Sequence, residues 1–516
     1  MLLWRIKPLD LILQTAEKKS LNRQLGAFQL TMLGIGAIIG TGIFVLTAEA
    51  AQKAGPGMMI SFVIAGFVCA VAALCYSELA AMVPVSGSAY TYSYAVLGEF
   101  IAWLVGWALI LEYAVAASAV CVGWSKYAVG LFKHSLDIEI PHALANGWFD
   151  GGIINLPAVV IGFLVTALLV RGTKESATVN AILVAIKVVA LTAFIALALP
   201  VMNDANFKPF APLGTAGIIG AAASIFFAYV GFDAVSTAAE ETKNPQRNIP
   251  IALVGSLLIC TIFYLLVAAG AIGSYGAQPV FAADGSALAP GSIELAERCK
   301  SLTDAATTPL VCSGEALAHV LRQIGHPWVG NMLGLAAFLA LPSVILTMIF
   351  GQTRIFFVMS RDGLLPEGLS KVHPRFKTPH VVTIMTGAAV MVAAAFLPVG
   401  KLADISNSGT LFAFLVVSVA VLMLRVTDKS RPRPFKTPLV WIIAPMSIVG
   451  CLVLFWFLPL SAKLVFPIWG GIGLVCYFLY GYRRSHLAPG NEHLLHAHAQ
   501  DPAIPAEPPF HEGPQA

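Results

Sequence analysis

The residues of this sequence that are most suited to chemistry lie in two stretches that glycines interrupt. The first, at 33–44, carries four glycines in nine residues. Each glycine costs a helix interior up to about 1 kcal/mol relative to alanine. Small residues such as Gly36 and Gly40 allow close helix packing. Alternatively, the helix unwinds at Gly40-Thr41-Gly42, and the amides exposed at the positive end of a half-helix bind a carboxylate.

The second stretch, at 224–233, brings Phe227, Gly231 and Asp233 to a matching depth in a later apolar run. A second interrupted helix favours unwinding over simple packing for both stretches, and it is the pattern of an inverted five-helix repeat. Unwound carbonyls in this stretch would accept hydrogen bonds from an ammonium group, and an aromatic ring would cover the site. The two stretches together predict a site for both charged ends of an amino acid.

Lys187 and Glu112 are the charges placed deepest in apolar runs. A charge at the centre of a bilayer costs roughly 2.5–3.5 kcal/mol on insertion scales, so each is a functional candidate. Lys187 is too central to reach water easily, and burial favours loss of its proton, which predicts a role in proton coupling. Glu112 either bonds a neighbouring helix or lines the pocket and attracts a cationic substrate.

Other charged residues have plainer interpretations. Glu78 and Asp233 are expected to be polar contacts between helices, or gate partners of cytosolic lysine or arginine. The charged segment 240–250 and the connection around 354–362 are expected to be structural loops on the gate side.

These residues must be positioned by helices that cross a membrane. The chain has 516 residues, of which 58% are hydrophobic and only 11% charged, against roughly 25% charged in a soluble domain. Apolar runs of about 20 residues match the bilayer core, and an all-α polytopic membrane protein follows. Twelve transmembrane helices are predicted near 28–50, 57–82, 97–130, 156–170, 178–201, 214–239, 250–274, 327–360, 380–398, 402–425, 437–460 and 462–482.

The distribution of lysine and arginine predicts that both termini are cytoplasmic. With the N-terminus inside, 21 of these residues fall on the inner side and 9 on the outer side, as the positive-inside rule requires. The segment 1–27 is expected to be a cytosolic lead-in, not a cleaved signal peptide. No basic face supports nucleic-acid binding.

Two segments outside the spans carry chemistry of their own. Cys299 and Cys312 lie 13 residues apart in a long outer loop at about 275–326 and could close a disulfide in an oxidising compartment, the alternative being two free thiols. The tail at 483–516 is expected to be disordered, and its three histidines to be solvated and not metal ligands.

The strings 34–44, 76–79 with 84–90, and 227–250 resemble the amino acid–polyamine–organocation superfamily, and within it the bacterial homologues of the cationic amino acid transporters. The resemblance covers roughly residues 20–482. It implies a five-plus-five inverted-repeat (LeuT-like) core with discontinuous helices 1 and 6 at 28–425, two further helices at 426–482, and alternating access. It also implies the roles of the site residues. The α-carboxylate contacts would be Thr41 and Gly42 with Ile38 nearby, the α-ammonium contacts and lid would be Phe227, Ala228 and Val230, and the proton-coupling residue would be Lys187.

Together these features predict a secondary active amino acid transporter of the inner (plasma) membrane, coupled to protons. Amino acid exchange, uniport of arginine or lysine, and a transporter-like sensor stay open as alternatives. No cofactor or metal site is expected. The protein is also not expected to be an enzyme, because the spans lack clustered nucleophiles, metal ligands and a nucleotide-binding loop. The outer residues 131–155 lack a cysteine, so a disulfide-bonded glycoprotein partner is not expected, and the chain is predicted to be monomeric. Apolar Ile38, Phe227 and Val230 favour small neutral substrates, whereas Glu112 favours cationic ones.

Overall fold

A computed structural model describes residues 5–7, 9, 25–85, 87–172, 177–239, 242–304, 308–376 and 378–488. Several predictions concern residues outside these ranges. They are most of the N-terminal segment, Glu240 and Glu241, and the tail beyond residue 488 with its three histidines.

The described residues are helical and contain no β-strand, apart from isolated bridges such as the one between Leu25 and Thr242. The helices are α1 (Ala27–Ile38), α2 (Thr41–Phe44), α3 (Leu46–Ala54), α4 (Met58–Met82), α5 (Ser88–Val96), α6 (Glu99–Leu136), α7 (His142–Ala145), α8 (Leu156–Arg171), α9 (Ala177–Ala198), α10 (Gly214–Ile225), α11 (Ala234–Thr237), α12 (Pro245–Tyr275), α13 (Ile293–Asp304), α14 (Ala316–Gln323), α15 (Pro327–Arg361), α16 (His380–Phe396), α17 (Val399–Thr427), α18 (Val440–Phe457), α19 (Leu460–Cys476) and α20 (Tyr482–Arg484).

Nine helical segments within the described ranges are long and apolar enough to cross a membrane, with mean hydropathies of 1.7–2.7. Three shorter apolar helices, α1, α8 and α16, accompany them. Large apolar side chains are exposed along α18 and α19, which is the pattern of a lipid-facing surface and would be unfavourable in water. Examples are Trp441, Trp456, Leu464, Ile468 and Ile472.

The bundle is organised around α6, the longest of the described helices. It packs lengthwise against α15 and α17, whereas α12 packs against α4 and α1. The helix α9 contacts α1 and α15. This packing encloses α1 and α10, the two helices that end at the glycine-interrupted stretches, so those stretches lie inside the bundle and away from lipid.

Candidate functional site

The first apolar run is interrupted in the structure, beside the predicted glycine triplet. Helix α1 ends at Ile38 and α2 begins at Thr41. Between them the backbone is extended, with ψ of 90° at Ile39 and φ, ψ of −135° and −150° at Gly40. The amides of the first turn of α2 therefore have no helical carbonyl to bind. The interruption begins one residue before the predicted triplet.

The second apolar run is interrupted as well. Helix α10 ends at Ile225, a 3₁₀ turn covers Phe226–Tyr229, and Val230 is extended with ψ of 141°. Gly231 follows with φ of +113°, a conformation that side chains disfavour, and a Cβ added there would lie 2.9 Å from the carbonyl oxygen of Ala37. Only glycine fits this position, because both the backbone angle and the space exclude a side chain.

The two interruptions touch each other. A Cβ added to Gly42 would lie 2.3 Å from the Cα of Ala228, so the two backbones are in direct contact. A Cβ added to Gly123 of α6 would lie 2.3 Å from Thr41 Cγ2, so α6 closes over the same point. The Thr41 hydroxyl is buried and has no hydrogen-bond partner within the described part of the chain. The predicted residues at this junction are all buried: Ile38, Gly40, Thr41, Gly42, Phe227, Ala228 and Val230.

Lys187 lies beside the first interruption. The side chain is 1% exposed, and its Nζ donates a hydrogen bond to the carbonyl oxygen of Gly36 at 2.9 Å. Gly36 is in the last turn of α1, where carbonyls lack helical partners. An ammonium group at this place therefore holds α9 to the end of α1.

Glu112 and Asp233 form a buried acidic pair between α6 and the second interruption. The hydroxyl of Tyr113 donates to Asp233 Oδ2 at 3.0 Å, so the partner of Asp233 is a tyrosine and not a lysine or arginine. Glu112 Oε2 has no hydrogen-bond partner among the described residues. This one oxygen of Glu112 is thus available to a ligand or to a proton, while the Thr410 side chain hydrogen-bonds the carboxyl group.

Glu78 is bound near the C-terminal end of α4. Its two carboxylate oxygens accept hydrogen bonds from Arg425 at 2.9 and 2.7 Å, and Arg433 lies at 3.3 Å. These bonds join α4 to α17 and to the connection that follows. The arginine partner considered for Glu78 is therefore present.

A polar cluster beside the second interruption was not predicted from the sequence. Lys53 of α3 lies 3.2 Å from Asp404 of α17 and hydrogen-bonds Ser224 of α10, which in turn hydrogen-bonds Asp404. The amide of Asn407 donates to the carbonyls of Ala223 and Ser224 at 2.8 and 3.1 Å. Asp404 lies only two residues inside a predicted span, where charged residues are common, so its position alone gave no signal of its burial. Its place within two turns of four other polar residues of α17, Ser406, Asn407, Ser408 and Thr410, was the signal available.

The long segment between α12 and α15 is folded against α3. Cys299 and Cys312 are joined by a disulfide, with Cα atoms 5.2 Å apart. Gln52 binds the backbone of this segment three times: it donates to the carbonyls of Val280 and Leu288 at 2.9 and 2.8 Å and accepts from the Val280 amide at 2.8 Å. A cavity of about 80 Å³ lies beneath the segment.

A second anchor of this segment is ionic and reaches α6 through His134, since Glu315 and Arg322 both belong to the segment. Arg322 binds both oxygens of Glu315 at 2.6 and 2.9 Å, and His134 lies at 3.4 Å. Burial alone would raise the pKa of Glu315, but the hydrogen bonds and charges of His134 and Arg322 hold the pKa below its usual value.

The chain has clear relatives, and residues 25–476 match the family described as amino acid permease. The chain belongs to the amino acid permease family. A branched-chain amino acid permease of Bacillus subtilis is 46% identical over 93% of this chain and 97% of the relative. A methylthioribose transporter of the same species is 41% identical over 94% of this chain and 99% of its own length. Cationic amino acid transporter 9 of Arabidopsis thaliana, a chloroplastic protein, is 33% identical over 91% of this chain and 79% of the relative.

These relatives are named as permeases and transporters, not as enzymes. The chain is accordingly a multi-pass membrane permease, with the amino acid–polyamine–organocation superfamily as its wider family. The substrates named for the relatives differ from one another, so the substrate of this chain depends on its own site.

Proposed function

We propose that this permease imports amino acids by alternating access, and that its two interrupted helices hold the substrate between them. The observation that carries the proposal is the backbone contact between Gly42 and Ala228, where the interruptions meet. Amides at Thr41 and Gly42 can donate to an α-carboxylate, and carbonyls of the Phe227–Ala228 turn can accept from an α-ammonium. The proposed contacts are Ile38, Gly40, Thr41, Gly42, Phe227, Ala228 and Val230, with Glu112 at the side-chain end.

The proposal includes twelve spans in a five-plus-five inverted repeat. The nine long helical segments and the three shorter apolar helices add up to the predicted number. Interruptions in the first and sixth spans are at equivalent places of two five-span halves. On this basis the core covers 28–425 and two further helices cover 426–482, with the segments 1–27 and 483–516 in the cytoplasm.

Coupling to protons through Lys187 is part of the same proposal. Its ammonium group binds the Gly36 carbonyl in the last turn of α1, so its protonation state controls a contact of the helix that leads into the site. Loss of the proton removes the charge and weakens that contact, which couples proton release to movement of α1. We further propose that the protein works as a monomer, without cofactor, metal or glycoprotein partner, in the plasma membrane.

The side chain of the substrate is best sought among branched-chain amino acids. A relative named for these substrates is 46% identical to this chain, and Ile38, Phe227 and Val230 give the site an apolar wall. Glu112 is the residue that would favour arginine or lysine, and a relative named as a methylthioribose transporter provides a third candidate.

An uptake screen on purified protein in proteoliposomes tests the function. We expect leucine, isoleucine or valine to compete best with one another, arginine and lysine to compete poorly, and methylthioribose to have no effect. Preferred uptake of arginine would support the cationic alternative, and Glu112→Gln should then remove it selectively. If none of the twenty amino acids is transported while methylthioribose is, the proposed function is wrong.

A further inference from the structure

The hydroxyl group of Tyr264 connects the two interrupted helices. This residue of α12 is fully buried, and its hydroxyl oxygen lies 2.9 Å from the carbonyl oxygen of Ile38 and 2.9 Å from that of Ala228. Ile38 is the last residue of α1, and Ala228 is in the turn that follows α10. A single side chain from a continuous helix therefore contacts both interruptions at once.

Both carbonyls are at places where the helix no longer provides a donor. A continuous helix would supply the amide four residues further on to the Ile38 carbonyl, but the extended backbone at Ile39 and Gly40 removes it. The extended Val230 ends the turn after Ala228 in the same way. A buried carbonyl without a partner is costly, so the hydroxyl of Tyr264 stabilises this arrangement.

The hydroxyl has one hydrogen, whereas the two carbonyl oxygens have four lone pairs between them. Tyr264 thus shares its single hydrogen between the two carbonyls, which both lie 2.9 Å from the hydroxyl oxygen, and leaves acceptor capacity on both of them. An ammonium group is a donor that could use this capacity, provided that the two oxygens are held at a suitable separation.

We propose that Tyr264 is a positioning residue of the transport site, whose hydroxyl holds the Ile38 and Ala228 carbonyls at the separation that an amino acid ammonium group requires. This inference rests on the proposed function. Lys187 acts differently, because its bond goes to Gly36 alone and leaves the second interruption untouched. Removal of the Tyr264 hydroxyl lets the two interruptions move apart and weakens substrate binding.

The chain supplies a matched control in Tyr229. It is also fully buried, its ring centroid lies 5.3 Å from that of Tyr264, and its hydroxyl donates to the Phe62 carbonyl at 2.9 Å. Phe62 is in the interior of α4, where the helix supplies its own amide to that carbonyl. Tyr229→Phe and Tyr264→Phe therefore each remove one buried hydroxyl, but only the second removes a contact between interruptions.

The test is binding of radiolabelled L-leucine to purified, monodisperse wild type, Tyr264→Phe and Tyr229→Phe, with the Tm of each protein measured in parallel. We expect similar losses of Tm in the two variants, about tenfold weaker leucine binding in Tyr264→Phe, and binding within about twofold of wild type in Tyr229→Phe. Replacement of Tyr264 by 4-aminophenylalanine keeps an N–H donor at the same reach and serves where Tyr264→Phe yields no folded protein. Leucine binding by this variant should stay within about threefold of wild type.

Unchanged leucine binding in Tyr264→Phe would overturn the proposal, as would equal weakening in both phenylalanine variants or a tenfold loss with 4-aminophenylalanine at position 264. The first two outcomes would make Tyr264 a residue of stability only. If the wild type binds none of the twenty amino acids, the amino acid assignment fails and the role of Tyr264 toward an ammonium group fails with it. The wild-type measurement therefore distinguishes the two failures.

Discussion

Lys187 is the residue whose substitution should separate proton coupling from substrate binding. Lys187→Met keeps much of the side-chain volume but removes the charge that binds the Gly36 carbonyl. We expect the variant to lose accumulation of leucine driven by an inward proton gradient by about tenfold or more, while leucine–leucine exchange persists. Lys463→Met is the control, because Lys463 lies far from the interruptions in sequence and binds Trp456 at an exposed site. Gradient-driven accumulation that survives in Lys187→Met would show that another group carries the proton.

Gly231 is the residue at which the second interruption is least tolerant of change. In Gly231→Ala the new Cβ meets the Ala37 carbonyl at 2.9 Å, and the φ of +113° must be kept or the turn must change. A left-handed backbone costs a non-glycine residue roughly 1–2 kcal/mol before any clash is counted. We expect a lower Tm and loss of most uptake.

The control is Gly220→Ala, also in the sixth run. The new Cβ meets nothing within 4 Å there, so uptake and Tm should be unchanged or slightly improved. Equal effects in both variants would contradict this.

Sequence alone indicated some of these residues and missed others for identifiable reasons. Gly40, Gly42 and Lys187 were found because glycines and a lysine are costly inside an apolar run. Tyr264 was missed because a tyrosine in a membrane helix is ordinary, and its importance lies in two carbonyls that are far from it in sequence. The Lys53–Asp404 pair was missed because each partner lies near the end of a span, where charges are common.

At the level of elements, the contacts of Asp404 with Lys53 and Ser224 join α3, α10 and α17. Removal of one partner from a buried pair leaves the other charge without compensation, at a cost of about 3–5 kcal/mol. We expect Asp404→Asn to lower the Tm and to reduce uptake about tenfold, because Lys53 and Ser224 lose their shared acceptor.

The control is Asp150→Asn, which removes the looser and more exposed pair with Lys126 at 3.8 Å. Exposed pairs contribute about 0–1 kcal/mol, so uptake should stay within about twofold of wild type. If the Asp404→Asn protein is as stable and as active as the Asp150→Asn protein, the cluster does not hold α3, α10 and α17 together.

The segment between α12 and α15 should lose its ionic anchor in acid. The pKa of Glu315 is held down in the folded state, so the anchor is complete above the unfolded value of about 4.3 and is lost as pH falls through the folded pKa. Hydrogen exchange of α14 amides should be slower in wild type than in Glu315→Gln at pH 7, and the two should converge once the pH has fallen below the folded pKa of Glu315. Glu139→Gln removes a solvent-exposed pair with Lys133 and should match wild type at both pH values. A wild type–Glu315→Gln difference that persists at low pH would contradict the assignment.

For the whole molecule, composition and run length were sufficient to predict an all-helical membrane protein, because the bilayer imposes a fixed span length and internally satisfied backbones. Hydropathy alone predicted less well where the individual helices begin and end. The first predicted span, 28–50, consists of α1, α2 and α3, and the outer loop contains α13 and α14. Neither the interruption at Ile39 nor the fold of the outer segment follows from local apolarity, since both depend on contacts with distant elements such as Gln52 with Val280.

Net import and exchange can be distinguished by measuring transport by the whole protein in a membrane. A proton-coupled importer that carries one proton with each amino acid must accumulate substrate when only a proton gradient is supplied, because the gradient drives the closed cycle in one direction. We expect proteoliposomes with an acidic exterior and no internal amino acid to accumulate leucine about tenfold, and a protonophore to abolish this. Replacement of sodium by choline should change nothing. Accumulation that requires internal leucine and ignores the pH gradient would identify an exchanger, and accumulation that follows sodium would contradict the role proposed for Lys187.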